Sequence, residues 1–161
     1  MSRSGLYRGV ASLALAPILL SVAGAARPER PVPRVTPKFD PVAETSLLMD
    51  GLNQANYRSL EKLLKQKPAD ADTWSFVRGQ SLLIAETGNL LLLRPPRSGG
   101  ADAWNQDAMD LRVAAASLAR KAGDRDYEGS VAGLGKVASV CNRCHETFRV
   151  ATHVGPDAGA D

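Results

Sequence analysis

Between Asp40 and Phe148, apolar residues return every three or four positions, the spacing of helices that bury one face, and prolines at 68 and 95–96 divide the run. Four helices are predicted. The first is capped by Asp40, takes Pro41 at its first position and stops near Lys67. Its apolar line is Leu48, Leu52, Ala55, Ser59 and Leu63, widened by Leu60 and Leu64. The second starts after Asp70 or Asp72 and runs to about Leu93, with Phe76, Gly79, Leu83, Glu86 and Leu90 in line and Leu82, Ile84 and Leu91 beside them. Only Arg78 and Glu86 are charged between Trp74 and Leu93, but Gln80, Ser81, Thr87 and Asn89 interrupt the stretch, which favours a well-buried bundle helix over a membrane span. The third has the cleanest pattern: Trp104, Ala108, Leu111, Ala115, Leu118 and Ala122, with Asp102 as cap and Gly123 as stop. The fourth starts near Asp126 and continues the rhythm through Tyr127, Val131, Leu134, Ala138, Cys141, His145 and Phe148.

No segment alternates as a half-buried strand does. Four helices of roughly 20 residues, each about 30 Å long, joined by short breaks, imply an all-α, up-down-up-down four-helix bundle over residues 41–150. Met49 lies on the first helix beside Leu48 and Leu52, and Met109 on the third is expected in the core. Gly51, Gly79, Gly88, Gly129, Gly133 and Gly135 fall in helix interiors, each costing up to about 1 kcal/mol against alanine. They are expected where backbone approaches another helix or something flat.

The ends read differently. Residues 1–26 have the form of a secretory signal peptide: Arg3 and Arg8, then the uncharged stretch from Val10 to Val22, then Ala23-Gly24-Ala25 for cleavage. With Pro17 inside it, that stretch falls short of the roughly 20 apolar residues needed to span a bilayer. Residues 27–40 form a proline-rich linker and 151–161 a flexible tail. Cleavage would place the protein in the periplasm or another exported compartment. It would also remove two basic residues and no acidic one, leaving eighteen basic against seventeen acidic, so the near-neutral mature chain gives no reason to expect a nucleic-acid partner.

The chemistry is concentrated in Cys141-Asn142-Arg143-Cys144-His145, which contains both cysteines of the chain. Residues three and four apart share a helix face. Two sulfurs can therefore add to the two vinyl groups of one porphyrin, and the following imidazole can reach its iron. A redox disulfide would sit at a strand-to-helix junction, and no βαβ pattern is present. A zinc site needs four ligands, and the only other histidine, His153, lies in the tail. The expected cofactor is one covalent haem c, which agrees with the export signal.

The run from Cys141 to Arg149, with Phe148 and Arg149 following His145 at fixed spacing, resembles the Cys-x-x-Cys-His-x-x-Phe/Tyr-Arg segment of the cytochrome c′ family, the class II cytochromes c. The first three helices match that family only in layout. The resemblance implies thioethers at Cys141 and Cys144, His145 as the proximal iron ligand, and Arg149 beside the imidazole or a propionate; its bland alternative is a solvated cation favoured by the helix end. The family has two branches, one with an open distal site that binds NO and CO, one with a methionine from the first helix completing a His/Met iron. Met49 is the candidate for the second, and the sixth ligand stays open. Such bundles often pair through their first two helices, so a homodimer is an expectation from resemblance alone. The function expected is one-electron transfer with a redox partner of unknown identity. The alternatives are a five-coordinate gas-binding haem protein and a haem-free helical module with a structural Cys/His cluster. No nucleophile has a partnered base, so an enzyme is not expected.

Overall fold

The computed structural model describes residues 38–155 apart from Ser98. The expected signal peptide, most of the linker and tail residues 156–161 lie outside the described residues; residues 38–40 are exposed and irregular. The described chain is all-α and has four helices: α1 over residues 45–63, α2 Ala71–Leu92, α3 Ala101–Gly123 and α4 Tyr127–Thr147. Successive helices pack on one another, α2 against α3 most extensively and α4 chiefly against α3, whereas α1 and α4 touch only sparsely. Among the described residues no helix is long and apolar enough to cross a membrane.

The two carboxylate caps at Asp70 and Asp126 are where the pattern places them. Each accepts the backbone N–H three residues on, from Thr73 at 2.7 Å and from Gly129 at 2.9 Å. Those bonds hold both carboxyls below the usual carboxylate range, with the Thr73 hydroxyl helping at Asp70 and Lys121 at Asp126. Elsewhere the ends move. The first helix is capped by Glu44 rather than Asp40, and the third by Gly100 in a left-handed conformation (φ 78°), which puts Asp102 inside the first turn. The third helix does end at Gly123, but the left-handed turn that follows falls at Arg125 (φ 55°) and lets the Asp126 N–H reach the Lys121 carbonyl at 3.0 Å.

The predicted face of α3 is the observed one: Ala108, Leu111, Ala115, Leu118 and Ala122 are buried. Met109, expected in the core, is only half-buried. The predicted line of α2 points the other way. Phe76 is 57% exposed and Leu83 46%, while Trp74, Val77, Ser81, Ile84 and Leu91 face inward. A helix apolar all round offers no charge pattern to orient it. The hydroxyls of Ser81 and Thr87 satisfy themselves on the carbonyls of Val77 and Leu83, which lets these residues enter the core.

Helix α1 departs further. Its residues Met49–Gln54 form a π-helical turn between α-helical segments Thr45–Leu48 and Ala55–Leu63. The wider turn rotates the face that follows. Asn53, Tyr57, Leu60 and Leu64 are buried, with Met49 packed against the core, while Ala55 of the predicted line is exposed. Of the interior glycines, Gly88 and Gly133 mark close helix contact: a Cβ on Gly88 would come within 2.7 Å of the Ala108 carbonyl oxygen, and one on Gly133 within 3.3 Å of Leu118. Gly51, Gly79 and Gly135 face open space.

Candidate functional site

Cys141, Cys144 and His145 lie in the last two turns of α4, half-buried, on the stripe that continues Leu134 and Ala138 into the core. Both cysteines are free. Burial pushes the Cys141 thiol up to about 12, with Cys144 adding to it. Cys144 is pushed up to about 11, again by burial first and then by the Asp107 carboxylate. Both sulfurs are therefore protonated at neutral pH. Among the described residues no three His, Cys, Asp or Glu side chains converge on a metal position. An iron carried by a porphyrin needs only axial donors from the chain, so this absence bears on zinc alone.

The imidazole of His145 is held. Its Nδ1 lies 2.6 Å from the Thr152 carbonyl oxygen. A carbonyl can only accept, so Nδ1 carries a proton, and in the neutral ring the lone pair is then on Nε2. An imidazole donating one N–H to a backbone carbonyl while offering its other nitrogen is the usual arrangement of a metal-ligating histidine. The partner comes from the tail, where the chain reverses at Arg149. That residue adopts φ 57°, donates its N–H to the Glu146 carbonyl and lets the Val150 N–H reach the His145 carbonyl at 2.8 Å. The Arg149 side chain is exposed and takes part in none of the three ion pairs found among the described residues. What the structure shows for Arg149 is thus a turn position.

Two groups around the motif have no signal in the sequence. Arg143 donates to Asp107 at 2.9 Å and to Asp110, tying α4 to α3; the Asp107 side chain is 7% exposed and also borders Cys144. Asn142 grips the tail, donating to the Val154 carbonyl and accepting from the Val154 N–H, both at 2.8 Å. Tyr57 lies on the inner line of α1, and burial raises its hydroxyl to about 12, with Glu61 and then Cys141 contributing. On that line Asn53 Nδ2 donates to the Met49 sulfur at 3.5 Å, and the buried Oδ1 of Asn53 has no partner.

Two sulfurs and an imidazole on one helix face are donors that a haem could use, while Met49 on α1 packs against the core. No family model matches the chain. No characterised protein and no solved structure matches it either.

Proposed function

We propose that the chain is an exported monohaem c-type cytochrome of class II, an up-down-up-down bundle that transfers one electron at a time through haem c. The observation that carries this reading is the pairing of the Cys141/Cys144/His145 face with an imidazole whose Nδ1–H is engaged and whose Nε2 is free. Cys141 and Cys144 would hold the haem by thioethers, and His145 would be its proximal ligand. When bound, the haem supplies a ferric/ferrous couple whose potential follows axial ligation, burial and nearby charge. The chain's part is to orient His145 through Thr152, to keep water from the sulfurs by burying them, and to set the paired Asp107–Arg143 charges beside Cys144. Residues 1–26 would direct export, and the exposed Phe76–Gly79–Leu83 line of α2 supports pairing of two copies through α1 and α2.

The second reading, a haem protein with an open distal site for NO or CO, uses the same proximal residues. It is favoured by the Asn53 amide, which already occupies the Met49 sulfur. The third, a haem-free helical module with a structural Cys/His cluster, has the weaker support of two free, protonated thiols.

The test is expression of the full chain in a cell with haem-attachment machinery. Colour that survives denaturation and acid–acetone extraction is expected; colourless protein, or haem that extracts freely, overturns the reading. Ferric spectra of wild type and Met49→Leu then separate the branches, since a high-spin spectrum unchanged by the substitution excludes Met49 ligation.

A further inference from the structure

Beyond Val150 the chain turns back on α4, and three of its next four residues are held there. The Thr152 carbonyl accepts from His145 Nδ1 at 2.6 Å. Both backbone groups of Val154 pair with the Asn142 side chain at 2.8 Å, and the second Nδ2 hydrogen of Asn142 has His153 Nε2 as its acceptor at 3.2 Å. Asn142 therefore uses its acceptor and both donor hydrogens on the tail. Val154 also packs against the core, so the segment is fixed at two places on either side of Thr152: by the reversal at Arg149 and by Val154.

We infer that residues 151–154 are a strap that fixes the proximal imidazole, and that Asn142, a variable position inside the Cys-x-x-Cys-His motif, is its buckle and a positioning residue. This deepens the haem reading and rests on it. A backbone carbonyl on Nδ1–H fixes the tautomer and the ring orientation, and raises the basicity of Nε2. A more basic axial imidazole favours ferric over ferrous iron and lowers the midpoint potential. The Thr152 carbonyl holds its place because Asn142 anchors the backbone two residues on. An amide is suited to this task because Val154 presents one donor and one acceptor. A carboxylate at 142 would keep only the bond from the Val154 N–H, and an alanine neither.

The experiment compares the full haem-loaded chain with Asn142→Ala, Asn142→Asp and a chain ending at Val150, reading the midpoint potential of each. The strap requires Asn142→Ala and the shortened chain to shift upward together, with Asn142→Asp between them and wild type. In parallel, imidazole ¹⁵N shifts of the haem-free wild-type chain are expected to show His145 protonated at Nδ1, and Asn142→Ala to lose that preference while keeping its helical circular dichroism. Equal potentials in all four haem-loaded chains, or a His145 proton on Nε2 in the haem-free wild type, overturn the strap while the covalent haem of the wild type still stands. A wild type without covalent haem overturns the haem reading instead, and the nitrogen shifts then decide whether the strap holds the imidazole.

Discussion

Along the seam of α2 and α3, Gly88 lets one backbone approach another, and Val77, Ile84, Ala115 and Leu118 are almost wholly buried. Along α1 and α4, contacts are sparse, the first helix widens into a π turn, and Asn53 buries an oxygen with no partner. The first is closed by shape, although Gln80 of α2 also buries an unpartnered oxygen; the second carries the half-buried sulfurs of Met49, Cys141 and Cys144 beside the buried Asn53 and Tyr57. Tight packing is where stability comes from in small bundles, and unmatched polar groups are where chemistry is found. The difference teaches that α2 and α3 form the frame on which α1 and α4 present side chains.

The comparison can be broken by substitutions on each side. The largest effect is expected from Cys141→Ala with Cys144→Ala, which should abolish covalent haem entirely on a haem-stained denaturing gel while costing the haem-free chain only about 1–2 kcal/mol in urea unfolding. On the frame, Leu118→Ala should reverse that pattern, costing about 2–5 kcal/mol with the motif residues untouched. Gly88→Ala sharpens the point: its Cβ meets backbone, so α2 and α3 must separate, at about 1–3 kcal/mol by the same measurement. Smaller is Arg143→Ala, which leaves the buried Asp107 carboxylate unpaired; with Arg143 about half exposed the loss should be about 1 kcal/mol and should shrink in high salt.

The smallest effect is one of pH. Asp126 has its folded pKa depressed, so its contribution is present above the unfolded value of about 3.9 and is lost as pH falls through the folded value. Asn is as good a cap without the charge. Asp126→Asn should therefore leave neutral stability almost unchanged and flatten its loss below about pH 4, measured by urea midpoints across pH 2–7.

What could be read from the sequence follows the same division. Charges off the apolar line of α3, such as Asp110, Arg112 and Arg120, made its buried run from Ala108 to Ala122 legible. Helix α2 has two charges in its middle and so concealed its orientation, and Ser81 and Thr87, polar by name, are core residues because each bonds its own helix. The π turn in α1 broke the assumed period. Cys141, Cys144 and His145 stand out in the sequence because residues three and four apart share a helix face, and the structure does place them together on α4. Asp107 gave no signal, since its meaning depends on Arg143, 36 residues away. Thr152 gave none because it acts through its backbone carbonyl, which every residue has.

The burial of the two sulfurs has a consequence for the order of assembly. A half-buried thiol gives a large planar reagent little room, and in its protonated form it is a slow nucleophile besides. If the chain carries haem, the bonds to it would form most readily while the fourth helix is still accessible, before Asp107 of the third helix packs beside Cys144. Maturation of this protein would then be a race between a modifying enzyme and a folding reaction.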